Sequence, residues 1–218
     1  MKLLGTPTSP YVRKVRLMLL EKNIPHEYLI DPPREPGSLV VRVNPLGRIP
    51  ALILDDDTCV FDSPVIAEYV DTLNDNPVLI PRNDALARMQ VKRWEALADG
   101  IMDSAIAVRN ERLRPEEKQE PANITLHNKA IDRALDFAVK ELGNQHWLCG
   151  NALTLGDLAL FSTLVYLDLR QPERDWRAAH PALLAWYGRM AERPSAKTSL
   201  PADRARSLRW MRGRWRLN

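Results

Sequence analysis

The sequence predicts a chain in two parts. Residues 1–76 read as a small α/β domain in the order βαβ-α-ββα, 77–85 as a linker, and 86–218 as an all-α helical bundle domain. Two observations carry this reading. Short apolar runs alternate with helical patterns up to about Arg82, whereas long helical stripes dominate after it. Between the two regimes, Asp75 to Asn83 holds Pro77 and Pro81, which interrupt any regular element.

Lys2–Gly5 and His26–Ile30 read as strands flanking a helix from Pro10 to about Asn23, with Val12, Val15 and Leu19 on one face. The Pro-rich stretch Asp31–Gly37 excludes a long helix and leaves an irregular or short helical piece. Ala51–Asp55 and Thr58–Phe61 are short strands joined at Asp56-Asp57, a hairpin signal, and a helix follows from Pro64 to about Leu73. In the second part, Leu86, Met89, Leu97, Ile101 and Val108 form a stripe on a long helix, and Ile131, Leu135, Ala138 and Leu142 form another. Thr154 to about Leu169 and Pro181 to Glu192 complete the set. Thr154 and Asp157 have capping-box spacing, and Leu153 with Leu158 suits a hydrophobic staple.

Bulk properties narrow the class. With 45% hydrophobic and 27% charged residues the chain matches ordinary globular proteins. The first ten residues lack the apolar core of a signal peptide, and the longest apolar stretch, Leu158–Leu169, is too short for a membrane span. A cytoplasmic protein without membrane contact is expected. The two cysteines, Cys59 and Cys149, form no CxxC pair and suit buried, inert thiols in a reducing compartment. The four histidines show no metal-ligand spacing, so no metal is expected. The net charge of +3 hides an asymmetry: six arginines and no acid lie between Arg204 and Asn218, leaving a mildly acidic body. That tail suits either an anionic partner or a last helix with its two tryptophans buried. The second is preferred, and nucleic acid is not an expected partner.

Three short motifs carry chemistry. In Thr8-Ser9-Pro10-Tyr11, Pro10 suits the first helical turn and Ser9 the N-cap, at the positive end of the helix. An anion there meets a hydroxyl and free N–H groups. Stabilising a thiolate by ~2 kcal/mol lowers a thiol pKa of about 8.5 by roughly 1.5 units. The same residues also suit a plain cap. In Asp62-Ser63-Pro64 another Ser-Pro pair opens a helix, offering a carboxylate site beside an acid that can receive an ammonium; again a simple cap is the alternative. In Asn44–Leu52, Pro50 precedes a strand. A cis Ile49-Pro50 bond would leave the Ile49 backbone free to pair with an extended peptide, and a trans proline at a strand edge is the alternative.

Taken together, the motifs resemble the cytosolic glutathione S-transferases along essentially the whole chain. Ser9-Pro10-Tyr11-Val12-Arg13-Lys14-Val15-Arg16 is similar to the first helix of serine-type members, Asn44–Leu52 to their NPxGxIPxL segment, Phe61-Asp62-Ser63 to their [DE]-S motif, and Leu153–Phe161 to the capping-box helix of their second domain. The string Glu95–Asp103 resembles the bacterial YibF-type subgroup. The resemblance implies the glutathione transferase fold: a thioredoxin-like N-terminal domain and an all-α C-terminal helical bundle, in a homodimer. It implies glutathione as co-substrate and an enzyme that activates the glutathione thiol for attack on a small hydrophobic electrophile, in detoxification.

It also implies roles. Ser9 meets the thiolate, with Tyr11 as the second candidate. Ile49 beside Pro50 pairs with the cysteinyl backbone, Arg48 with the glycine carboxylate, and Asp62 and Ser63 with the γ-glutamyl head group. Asp103, and after it Asp99, reaches the γ-glutamyl amine of the other subunit. No cysteine stands near Ser9, which argues against thiol-transferase chemistry. A glutathione-dependent isomerase and a non-enzymatic regulatory or binding protein are the alternatives.

Overall fold

The computed structural model describes residues 1–201; the basic segment Arg204–Asn218 lies outside them. β1 (Lys2–Gly5) leads through α1 (Pro10–Glu21) to β2 (Glu27–Ile30), which pairs in parallel with β1, Lys2 opposite Glu27. The short helical piece is α2 (Leu39–Val43). β3 (Ala51–Ile53) and β4 (Cys59–Val60) run antiparallel, completing a sheet of order β2-β1-β3-β4, and α3 (Ser63–Thr72) packs against α1.

Two boundaries are tighter than expected, for local reasons. Asn23 takes φ 51°, which cannot continue a helix, so α1 ends at Glu21. The Leu54 N–H donates to the Thr58 carbonyl and Asp57 takes φ 66°, so the turn consumes the inner ends of both hairpin strands. Val12, Val15 and Leu19 are fully buried as the spacing predicted. Gly5 makes their approach to the sheet possible, because a Cβ there would sit 2.4 Å from a Val12 methyl.

The helical part comprises α4 (Ala85–Arg112), α5 (Pro121–Leu142), α6 (Leu155–Arg170), α7 (Trp176–Ala179), α8 (Pro181–Ala191) and α9 (Pro194–Ser199). α4 packs along α5 and α6, and α6 also packs on α1. Contact between α4 and α6 depends on Gly156, where a Cβ would lie 2.8 Å from the Trp94 Cβ. One apolar core therefore runs through both parts, joining Leu3, Val15 and Met18 to Trp94, Leu160 and Phe161.

The stripe expected on α4 needs correction at its start. Ile101 and Val108 are buried, but Leu86 is 63% and Met89 49% exposed. The buried face there runs through Val91, Trp94 and Ala98 instead. On α5 the stripe Ile131, Leu135, Ala138 and Leu142 is the whole buried face, and the helix begins well before it, at Pro121. α7 and α9 are too short to leave a periodic signal. The two cysteines are half-buried rather than buried. Burial raises both thiols, Cys149 to about 11, so both stay protonated at neutral pH.

The capping box at the start of α6 does more than cap. The Thr154 N–H and hydroxyl both donate to Asp157 Oδ2 at 2.9 Å. Asp157 Oδ1 accepts from the Leu148 N–H at 3.0 Å and from the Trp186 indole at 3.3 Å. This fully buried carboxylate thus ties α6 to the preceding loop and to α8. Thr154→Ala is expected to cost about 1 kcal/mol. Asp157→Ala, which strands several buried donors, is expected to cost about 3 kcal/mol. Chemical denaturation of both variants checks the order; equal losses would contradict the hub role.

Candidate functional site

α1 and α4 meet over a buried cation. Lys14 is fully buried, and its Nζ donates to Glu95 Oε1 at 2.9 Å and to both oxygens of Asp99 at 2.9 and 2.8 Å. Glu95 also pairs with Lys92. Burial pushes the Asp99 carboxyl up to about 6 against the pull of the Lys14 ammonium. This cluster fixes the spacing between the two parts, and a cleft of about 820 Å³ opens beside it.

Of the residues singled out from sequence, Ser9, Tyr11, Arg48, Ile49, Asp62, Ser63 and Asp103 all line this one cleft. Pro50 is buried behind Ile49 rather than on the wall. Ser9 is the N-cap of α1: its Oγ accepts from the Val12 N–H at 3.3 Å, which leaves its own proton free to donate. The Ile49–Pro50 peptide bond is cis, and the Ile49 backbone has no hydrogen-bond partner among the described residues.

At the start of α3 the roles are shifted by one residue from the sequence expectation. Asp62, not Ser63, is the N-cap and accepts from the Ser63 N–H; the Phe61–Asp62 bond is also cis. Ser63 opens the helix, 1% exposed, and its buried Oγ has no partner among the described residues. A buried hydroxyl at a helix N-terminus, facing a cleft, is a ready receptor for a carboxylate.

Tyr11 and Asp103 face each other across the cleft, and the Tyr11 hydroxyl donates to the Asp103 carboxylate. Burial, reinforced by that carboxylate, holds the Tyr11 phenol well above its ordinary range, so it stays protonated. Asp99 is drawn to Lys14 in its own chain.

Sequence reasoning missed the far wall. Ile106, Arg109 and Asn110 of α4 and Tyr166 and Arg170 of α6 also line the cleft. Their signal was partly present: Asp99, Asp103, Ile106 and Asn110 follow at steps of four, three and four, one helical face. Among the described residues no group of three or more His, Cys, Asp or Glu side chains is placed to hold a metal ion, and no helix is long and apolar enough to cross a membrane.

Comparison with known proteins gives a consistent result. Residues 8–73 match the family model of the glutathione S-transferase N-terminal domain, and 107–189 that of the C-terminal domain. The chain is 36% identical over 202 residues to the uncharacterized GST-like protein YibF of Escherichia coli (strain K12), covering 92% of this chain and 99% of that protein. A crystal structure of a glutathione S-transferase from Methylobacillus flagellatus KT with glutathione bound superposes with a TM-score of 0.90 at 39% identity, covering 92% of this chain and 99% of that one. Another, from Methylobacterium radiotolerans in complex with glutathione sulfonate, gives 0.87 at 35% identity, covering 92% and 94%.

The buried cluster yields a stability prediction. Lys14→Met leaves two carboxylates facing each other without their cation and is expected to cost about 3–5 kcal/mol. Adding Glu95→Gln and Asp99→Asn to that variant is expected to recover more than half of the loss in chemical denaturation. No recovery would show that Lys14 acts through packing alone.

Proposed function

Because the chain belongs to the glutathione S-transferase family, we propose that it is a working glutathione transferase whose cleft binds glutathione and presents its thiolate to an electrophilic carbon. The observation that carries the reading is the pair of cleft-facing serine hydroxyls at helix N-termini. One keeps a free proton, and the other is buried without a partner. A tripeptide with a thiol and a carboxylate-bearing head group answers both.

Ser9 donates to the sulfur, and the N-terminal end of α1 adds its dipole, so the thiol ionises more readily. Tyr11 stays the second candidate, and its hydrogen bond to Asp103 favours Ser9. The Ser63 hydroxyl at the N-terminal end of α3 receives the γ-glutamyl carboxylate, and Asp62 the ammonium. The Ile49 backbone pairs with the cysteinyl residue as an added strand, and exposed Arg48 with the glycine carboxylate. Asp103 stands at the edge of this site. In its own chain it orders Tyr11, and its remaining acceptor capacity suits the ammonium of a glutathione held by a second subunit. Catalysis then consists of thiolate generation and positioning.

The active form is a homodimer. Glu68 of α3 pairs with Arg88 and Lys92 of α4, laying these helices side by side, and Val65, Leu86 and Met89 leave apolar surface exposed on them. A second subunit packed there would bury apolar residues that the described residues leave exposed. The protein works in the cytoplasm, where its two unpaired cysteines stay reduced.

Steady-state kinetics with chlorodinitrobenzene test the role of Ser9. Ser9→Ala is expected to lower kcat about 10- to 30-fold at neutral pH, while KM for glutathione changes less than about threefold. An unchanged kcat would reject Ser9 as the thiolate donor. Asp62→Asn is expected to act the opposite way, raising the glutathione Kd about tenfold or more in calorimetry, because it removes the countercharge of the ammonium. Unchanged affinity would reject that contact.

A further inference from the structure

The cleft continues past the glutathione positions, along α4 and α6, and its far end is cationic. Arg109 lies six residues beyond Asp103 on α4, roughly 9 Å further along the helix at 1.5 Å per residue. From α6 come Tyr166 and, one turn later, Arg170, whose guanidinium carbon lies 5.9 Å from the Tyr166 ring centroid. Arg109 and Arg170 both lower the Tyr166 phenol against the larger upward push of burial, so the two guanidiniums share one neighbour.

The acids of the cleft are already engaged. Asp62 accepts from the Ser63 N–H, Asp99 from Lys14 and Asp103 from Tyr11. Among the described residues, the two arginines have only the Tyr166 side chain beside them. Arg170 Nε is buried with no partner, and among the described residues neither Arg109 nor Arg170 has a carboxylate partner. Glutathione itself brings two carboxylates and one ammonium, which Ser63, Arg48 and Asp62 answer. Two guanidiniums, partly withdrawn from water and without countercharge, therefore remain on the side of the second substrate. Planar, permanently charged forks in that state favour a carboxylate.

We propose that Arg109 and Arg170 receive a carboxylate carried by the electrophile, so that this enzyme conjugates organic acids rather than purely apolar molecules. The inference rests on the glutathione reading above. The acid group docks between α4 and α6, the carbon skeleton crosses Ile106, and the reactive carbon faces the sulfur held by Ser9. With a halogenated acid, the sulfur–carbon bond forms as the carbon–halogen bond breaks; the halide leaves with the bonding pair and the thiol proton passes to solvent. Selectivity comes from the pair of arginines, and the reacting atoms stay at the Ser9 end.

Calorimetry with the full chain tests this without turnover. Glutathione, S-benzylglutathione and S-(para-carboxybenzyl)glutathione are titrated into wild type and into R109Q/R170Q. The carboxylated conjugate is expected to bind wild type at least about tenfold more tightly than the benzyl conjugate, and the difference to shrink to about twofold or less in the double variant. If the double variant does not fold, R109Q and R170Q separately must each reduce the preference. Equal affinity of the two conjugates for wild type, or a preference that survives in folded variants, overturns the proposal while leaving glutathione binding intact. Failure of glutathione itself to bind wild type removes the parent reading, and this one with it.

Discussion

The working geometry of this protein depends on one buried ammonium. Lys14 belongs to the first helix of the α/β part, and its two carboxylate partners belong to the first helix of the helical part. A buried cation held at hydrogen-bond distance by Glu95 and Asp99 tolerates little change in helix spacing, because moving apart strands charge in a water-poor interior. The apolar core that runs across the junction supplies the cohesive energy; the ion cluster supplies the register. A second strap, from Glu21 to Arg193 and Ser195, binds the other end of α1 to α9. With α1 clamped in this way, the Ser9 end of the helix faces the side of α4 that carries Asp103 and Arg109.

From that placement follows a division of charge along the cleft. Near the sheet, two helix N-termini and their serines favour anions, with one carboxylate beside them for an ammonium. In the middle, Tyr11 and Asp103 satisfy each other across the gap between the two parts. At the far end, arginines of α4 and α6 stand without countercharge among the described residues. In the proposed reading the gradient runs from a pole that suits the γ-glutamyl zwitterion to a cationic pole, with the thiolate between them. Each pole holds a buried polar atom without a partner among the described residues, Ser63 Oγ at one and Arg170 Nε at the other, and such atoms gain most from a ligand that pairs them.

How much of this was legible in the sequence depends on the range of the interactions. Ser9, Ile49, Asp62 and Ser63 could be read because a proline one or two residues on fixes local backbone and places the functional atom within a turn of its motif. The capping box at Thr154 was legible for the same reason, but the bonds from Leu148 and Trp186 to Asp157 were not, since they join residues brought close only by packing. Arg109 and Arg170 were invisible as a pair: they sit on helices far apart in sequence, and their convergence follows from the close α4–α6 contact that Gly156 permits. Leu86 and Met89 misled because apolar spacing alone does not say what covers a face, and the described residues leave both exposed. The one-residue shift at Asp62 reflects two neighbouring side chains each able to cap; the acid took the role and left the serine hydroxyl free.

The central claim is that the Ser9 end of α1 stabilises the thiolate of bound glutathione. Its most direct test is the ultraviolet thiolate absorbance of the protein–glutathione complex followed as a function of pH. The account predicts that the bound thiol of wild type titrates about 1.5 units below the free-thiol value of about 8.5, and that Ser9→Ala moves the titration back toward that value while glutathione stays bound. A bound thiol that titrates like free glutathione in wild type would contradict it.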